Sequence, residues 1–137
     1  MGIRESDVQV QLADYLRMRY PDVLFHSDFG SGIKLTMGQA VKQKRLNGGR
    51  RAWPDLFIAE PRQTGPSRWQ FKYGLFIELK KEGIRLKKKN GEWASEHIAE
   101  QAMVLRHLQD KGYKADFALG FDQAKRLIDD YLGGNNE

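Results

Sequence analysis

Two short apolar runs constrain the fold of this 137-residue chain more than any other feature of its sequence. Leu56 to Ala59 and Leu75 to Leu79 are almost continuously apolar and have the length of β-strands. A strand with one face in water alternates apolar and polar residues, whereas a continuous apolar run indicates that both faces are covered. We therefore predict an α/β domain in which these two runs are neighbouring strands of a covered sheet.

Charged residues lie on these two runs. Asp55 precedes the first run, Glu78 lies within the second, and Lys80 follows it. Side chains two residues apart in a strand point to the same face, so Glu78 and Lys80 are predicted to share a face at a spacing of roughly 7 Å. A buried carboxylate costs several kcal/mol unless it is paired or binds a metal.

Two explanations of these charges are open. One is a structural ion pair between Glu78 and Lys80 at a strand end. The other is metal-dependent phosphodiester cleavage, in which Asp55 and Glu78 hold Mg²⁺ or Mn²⁺, hard cations that prefer oxygen ligands. Such an ion activates water and neutralises charge on the phosphate.

Basic residues flank the acids on both sides in sequence. Residues 29–53 contain no acid, and the net charge of the chain is +5. The first group is Lys34, Lys42, Lys44, Arg45, Arg50 and Arg51, and the second is Arg85, Lys87, Lys88 and Lys89. Either group alone could be a solvated surface, but their placement around the acids predicts a nucleic-acid-binding surface.

The motif Pro54-Asp55 followed by Glu78-Leu79-Lys80 resembles the PD-(D/E)xK nuclease superfamily. Within it, the chain from about Glu5 to Tyr131 resembles the VRR-NUC family, of the small standalone type found in phages and bacteria. Four further features fall in the family's order: Glu5 opening an amphipathic helix, Gly48-Gly49 before Trp53-Pro54-Asp55, Gln101 in the helix after the catalytic strands, and Gly112-Tyr113 ending that helix.

The resemblance implies a role for each candidate site residue. Asp55 and Glu78 would be metal ligands, with Glu5 completing the site and the carbonyl of Leu79 as a backbone ligand. Lys80 would position the attacking water or stabilise the phosphate in the transition state. Gln101 would lie beside Lys80 and hydrogen-bond to water or phosphate.

Two of these residues have alternative explanations. Glu5 could be an exposed acid favoured by the helix dipole, or it could precede the helix if Ser6 and Gln9 formed a capping box. Gln101 could be a core-edge glutamine bonded to the backbone.

The resemblance further implies a metal-dependent DNA endonuclease, most similar to homodimeric Holliday-junction resolvases that cut four-way junctions. A nickase of flaps or forks, a less selective duplex nuclease and a restriction-type enzyme with base-specific readout stay open. So does a function of another class, a nucleic-acid-binding module without catalysis.

The fold expected for residues 1–132 is a restriction-endonuclease-like αβββαβ core with a closing C-terminal helix. The first half is predicted to contain a helix at 5–19, a strand at 23–26, a basic, mobile 29–52 loop with room for a short helix in 34–46, and strands at 56–59 and 75–79. A basic 84–94 hairpin follows, with a type I′ turn at Asn90-Gly91. The remaining predicted elements are a helix capped by Ser95, a strand at 115–119, a helix at 121–132 and a flexible 133–137 tail.

Several classes of function are disfavoured. The chain has no cysteine, so it has neither disulfides nor a cysteine-ligated zinc site. It lacks a glycine-rich phosphate loop, which argues against a nucleotide cofactor, and it has no membrane-length apolar run. We therefore expect a cytoplasmic protein of a bacterium or phage-infected cell. Trp53, Trp69 and Trp93 could stack on bases, Trp93 on the hairpin being the best placed, although such residues more often pack in a core.

Overall fold

The computed structural model of the chain describes residues 5–28, 35–50 and 52–133. The helices are α1 (Glu5–Arg19), α2 (Met37–Leu46), α3 (Glu96–Asp110) and α4 (Phe121–Leu132), with one 3₁₀ turn at Arg68–Gln70. The strands are β1 (Phe25–Ser27), β2 (Leu56–Ile58), β3 (Arg62–Gln63), β4 (Phe71–Lys72), β5 (Leu75–Lys80) and β6 (Lys114–Leu119).

Four strands form the central sheet in the order β1-β2-β5-β6, while β3 and β4 form a separate two-stranded ribbon. β1 and β2 are antiparallel, as are β2 and β5, whereas β5 and β6 are parallel. A parallel pair needs a long crossover, and α3 supplies it. The predicted αβββαβ order with a closing helix is thereby confirmed, and α2 is the short helix expected within 34–46.

Both faces of the sheet are covered, as the two apolar runs predict. On one face, Leu16 of α1 and Ile128 of α4 share a hydrophobic cluster with Ile77 of β5. On the other face, Val104 and Leu105 of α3 pack in a second cluster with Phe76 of β5. Because successive side chains of β5 alternate between these clusters, nearly every position of the strand is buried.

Two sequence predictions are wrong in detail. The first strand begins at Phe25 rather than Val23, because the Val23 N–H donates to the Tyr20 carbonyl at 3.1 Å in the turn that follows α1.

Ser95, by contrast, caps α3 as predicted, since its hydroxyl accepts the Ile98 N–H at 3.2 Å. None of the helices in the described part of the chain is long and apolar enough to cross a bilayer.

The turn at Asn90-Gly91 is the second error. The Gly91 N–H donates to the Lys88 carbonyl at 3.0 Å and the Lys88 N–H to the Glu92 carbonyl at 2.7 Å. Gly91 has φ of 90°, but no described non-glycine residue has positive φ. A type I′ turn needs positive φ at both central residues, so this is a three-residue loop ending in a left-handed glycine. The predicted hairpin has one antiparallel bridge, between Lys87 and Trp93, rather than a ladder.

Candidate active site

The register of β2 against β5 brings the two candidate carboxylates together. Leu56 is paired with Ile77, so the next position in register places Asp55 opposite Glu78. The Asp55 carboxylate accepts the backbone N–H of Leu79 at 2.8 Å. Asp55 therefore lies against the backbone of the Glu78-Leu79-Lys80 motif.

The Leu79 carbonyl lies on the edge of β5 that faces β2, two residues beyond the last β2–β5 pair. In a strand, the N–H and the carbonyl of one residue point to the same edge, and the Leu79 N–H points to the Asp55 side. The β2 ladder ends at Leu56, opposite Ile77. This carbonyl thus lies on the edge where Asp55 lies, as a backbone ligand beside two carboxylates should.

Glu78 and Lys80 are buried on the α3 side of the sheet. Strand alternation gives them the same face as Phe76, and they are 4% and 9% exposed. No ion pair joins Glu78 to Lys80 within the part of the chain that the structure describes. Glu78 does have an interaction within the chain, and the described ion pairs do not include the Glu78–Lys80 pair of the structural explanation.

Gln101 is a buried glutamine on the face of α3 that packs on β5. Its neighbours one turn later, Val104 and Leu105, pack with Phe76. Because α3 returns antiparallel to β5, Gln101 lies level with the C-terminal half of that strand. The residue is 6% exposed, and its Oε1 has no hydrogen-bond partner in the described structure. This oxygen therefore has no bond to the described backbone, and the alternative of a core-edge glutamine bonded to backbone would have to use the amide nitrogen.

Gln9 is a site residue that sequence reasoning missed. Its side-chain amide donates to the Ser27 hydroxyl at 2.7 Å, to the carbonyl of Asp28, and to the Asp55 carbonyl at 3.4 Å. These bonds hold α1 against the sheet edge where Asp55 begins β2. The only sequence signal was its position one helical turn after Glu5.

α1 begins at Glu5, so Glu5 does not precede the helix, and Ser6 is not its N-cap. One turn separates Glu5 from Gln9, which places the first turn of α1 near the same sheet edge. The Glu5 side chain itself lies outside what the structure describes. So do Lys34, Arg51 and tail residues 134–137.

The described residues supply two carboxylates rather than three for a metal. No group of three or more His, Cys, Asp or Glu side chains able to hold a metal occurs among residues 5–28, 35–50 and 52–133, with the Glu5 side chain left out. Asp28 comes next to Asp55 in the β1 register, but its carboxylate is 3.5 Å from His26. Two carboxylates and a carbonyl make an all-oxygen donor set, which suits Mg²⁺ or Mn²⁺ and not a soft metal.

Comparison with known proteins adds one solved structure. No family model matches the chain, and no curated protein matches it. A solved structure described as a VRR_NUC domain protein is similar with a TM-score of 0.65 and 25% identity, covering 97% of this chain and 91% of its own. This likeness supports membership of the VRR-NUC family. It extends over nearly the full chain, as the resemblance from residues 5–131 predicts.

The first basic segment of this fold is largely an exposed helix. Lys42, Lys44 and Arg45 lie on α2, none of whose residues is buried in the described structure. The Trp53 indole N–H donates to the Asn47 carbonyl at 3.3 Å, which ties the end of α2 to the chain just before Asp55. A cleft of about 430 Å³ separates this segment from α3 and is lined by Lys44, Gly49, Arg50, Ala52, Glu100, Met103 and Val104.

The second basic segment forms an arm after β5. Arg85, Lys88 and Lys89 are exposed on it. Lys87 is also exposed, with its ammonium 4.7 Å from the centre of the Trp93 ring, and that ring packs on Phe117 at 5.8 Å. Trp93, the tryptophan favoured for base stacking, is thus partly buried, whereas Trp69 is 79% exposed.

Proposed function

We propose that this chain is a metal-dependent nuclease of the PD-(D/E)xK type that hydrolyses phosphodiester bonds in DNA. The observation that carries the proposal is the register that sets Asp55 opposite Glu78, with Lys80 buried on the same face of β5. The name of the similar structure, a VRR_NUC domain protein, points to the same class.

Asp55 and Glu78 are proposed to bind Mg²⁺ or Mn²⁺ together with the Leu79 carbonyl, and Glu5 to complete the site. When bound, the ion would supply charge neutralisation at the phosphate and a more acidic water. The bond from the Leu79 N–H fixes the orientation of the Asp55 carboxylate before any ligand arrives. Gln9 acts as a positioning residue, because it holds α1 and the Asp55 backbone in one hydrogen-bonded group.

Lys80 is proposed to position the attacking water and to stabilise negative charge on the phosphate. A cation in a site of low dielectric acts on such charge more strongly than a solvated one. The unpartnered Oε1 of Gln101 can only accept a hydrogen bond. We therefore assign this oxygen to the attacking water rather than to the phosphate.

The proposed substrate is branched DNA, and within that class a four-way junction cut by a homodimer. Support comes from the exposed basic residues on α2 and on the 84–94 arm, which lie on either side of the acids in sequence. Each copy carries one candidate site, so two copies would supply the two sites that symmetric cuts in opposed strands need. Flaps, forks and plain duplex are the competing substrates.

The test compares a labelled four-way junction with a duplex of matched sequence, each in Mg²⁺, Mn²⁺ or EDTA, for the wild type and for Lys80→Ala. Paired symmetric cuts in the junction, lost in EDTA and in the variant, are expected. Equal nicking of both substrates would retain the nuclease and refute the junction preference. Tight binding without cleavage in either metal would refute the nuclease.

A DNA-binding module without catalysis is the second candidate. The observation that favours it is the lack of a three-ligand group among the described side chains. A titration calorimetry experiment with Mn²⁺ separates the two functions, because the nuclease requires binding that Glu78→Gln weakens. Heat of binding that is equal in the wild type and the variant would favour the module.

A further inference from the structure

An aromatic surface on the β3–β4 ribbon has no role in the site described above. Trp69 is 79% exposed, Phe71 41% and Tyr73 57%. Phe71 and Tyr73 contact edge to face at 5.4 Å, and Trp69 lies in the 3₁₀ turn just before them. Exposed apolar side chains that lie together commonly mark binding surfaces.

The chain segment that carries these rings is basic. Residues 61–77 contain no acid, and Arg68 and Lys72 alternate with the three aromatic residues. Lys111 is exposed next to Gly112, whose carbonyl accepts the Tyr73 N–H at 3.0 Å. Aromatic rings interleaved with cations fit unpaired nucleotides, because rings stack on bases while cations contact phosphates.

The ribbon backbone and the Tyr73 ring are tied to neighbouring elements. The Tyr131 hydroxyl of α4 donates to the Glu60 carbonyl at 2.7 Å and to the Lys72 carbonyl at 3.4 Å. The Tyr73 ring lies against Gly112, where a Cβ would come within 2.6 Å of the ring and where φ is 99°. Tyr73 also contacts Tyr113, which packs on Phe76 of β5. Tyr73 thus needs little ordering when a ligand binds.

The surface lies at a useful distance from the site. Tyr73 contacts Tyr113, which packs on Phe76, so it lies toward the α3 side of the sheet, as Glu78 and Lys80 do. Tyr73 lies two residues before β5, and five residues at strand spacing separate it from Glu78 by roughly 17 Å. At 3.4 Å per stacked nucleotide, this corresponds to about five nucleotides.

We propose that Trp69, Phe71 and Tyr73 form a stacking platform for a single-stranded DNA segment adjoining the bond to be cut. The partner's identity as DNA rests on the proposed function, whereas the preference for unpaired bases rests on the rings. Arg68, Lys72 and Lys111 would contact the phosphates of the same strand. The platform would favour substrates with a single-stranded arm over blunt duplex.

The test measures binding by fluorescence anisotropy in EDTA, with a labelled duplex carrying an oligo-dT arm and with the same duplex blunt. Trp69→Ala is expected to weaken binding of the armed duplex by about tenfold or more, since one base–ring stack contributes that much. Blunt duplex should bind equally to both proteins. Trp69→Phe should retain most of the affinity, whereas Trp69→Lys should not. Met18→Ala, which removes another highly exposed apolar side chain, is the matched control and should change nothing.

Several results would overturn the platform. These are unchanged binding by Trp69→Ala, full affinity of Trp69→Lys, an equal loss on blunt duplex, or a preference for single-stranded RNA of the same sequence. A change in the oligomeric state of Trp69→Ala would assign the surface to protein contacts instead. Cleavage by the wild type with unchanged arm binding by Trp69→Ala refutes only the platform. Arm binding lost in Trp69→Ala, with no cleavage by the wild type, refutes only the nuclease.

Discussion

Two buried polar clusters on opposite faces of the sheet are satisfied to very different degrees. Between α1 and α4, the Asp129 carboxylate accepts from Tyr15 at 2.5 Å, from Tyr20 at 2.6 Å and from Lys125 at 3.1 Å. On the α3 side, Gln101 Oε1 has no partner in the described structure, and Lys80 is buried without an ion pair to Glu78. The Asp129 carboxylate thus has three donors, whereas the Gln101 oxygen has none in the described structure.

The ionisation of the first cluster reflects these hydrogen bonds. Burial alone would raise the pKa of Asp129, but the hydrogen bonds from Tyr15, Tyr20 and Lys125 lower it below its usual value. Burial and the bond to Asp129 raise the pKa of Tyr20. The native cluster is therefore a carboxylate with two neutral phenols. A buried oxygen without a partner costs about 1–3 kcal/mol, so the Gln101 side reduces stability, as functional sites commonly do.

The largest expected effect is a loss of cleavage when Glu78 on the α3 side is changed, and not when Asp129 is changed. Glu78→Gln should lower the single-turnover cleavage rate by about 10³-fold or more, because a neutral amide loses the charge that a metal ligand needs. The variant should stay folded, because the neutral amide costs less to bury than a carboxylate, and DNA binding in EDTA should persist. Asp129→Asn is the matched control on the other face and should cleave normally while folded. A Glu78→Gln or Glu78→Ala protein that keeps more than a few per cent of the activity in Mg²⁺ would contradict the site.

The next largest effect is on stability rather than on cleavage. Asp129→Ala should lower the free energy of unfolding by about 3 kcal/mol, because two phenol hydroxyls lose their acceptor. The measurement is urea denaturation with the cleavage rate recorded below the transition. Asp130→Ala, at the adjacent exposed position of α4, should lower it by less than about 1 kcal/mol. Equal losses of unfolding free energy in the two variants would mean that the hydrogen bonds of Asp129 do not stabilise the fold.

A smaller effect compares two glutamines on one helix. Gln101→Leu should reduce cleavage about tenfold while stability stays or rises, since an unpartnered oxygen is removed from the interior. Gln109→Leu is the counterpart, because its amide donates to the Ala115 carbonyl at 2.8 Å. That change should cost about 1 kcal/mol of stability and leave cleavage intact. Destabilisation by Gln101→Leu with normal cleavage would make Gln101 a structural residue.

Sequence patterns predicted the elements better than the contacts. Helical periodicity gave the bounds of α4 at 121–132, and continuous apolar runs located β2 and β5. The β3–β4 ribbon was missed because a strand of two residues is too short for a period. The polar 60–74 connection does not fix the register of β2 against β5, so the pairing of Asp55 with Glu78 had to come from the structure.

The residues of the candidate site also differ in whether the sequence alone could reveal them. Asp55, Glu78 and Lys80 stood out because charges interrupt or adjoin apolar runs. Gln9 gave no such signal, because a polar residue in an amphipathic helix is ordinary until its partners are known. The exposure of Trp69 and the burial of Trp93 depend on which side of each element meets the core. Composition carries no information about that choice.

The smallest effect is a difference in pH dependence between the clusters. Asp129 has a lowered pKa in the fold, so its contribution to stability is present above the unfolded pKa of about 3.8 and is lost as pH falls through the folded pKa. Tyr15 and Tyr20 have raised pKa values, so theirs is full below pH 10.0 and is lost as pH rises through the folded values. Asp129→Asn should therefore flatten the acid limb of the stability curve, by at most about 1.4 kcal/mol per pH unit. Urea denaturation from pH 2.5 to 6 measures this slope, and Gln101→Leu, which removes no titrating group, should leave it unchanged. An acid limb that stays equally steep in Asp129→Asn would mean that other carboxylates control acid unfolding, and the contrast between the hydrogen-bonded Asp129 carboxylate and the unpartnered Gln101 oxygen would lose its thermodynamic basis.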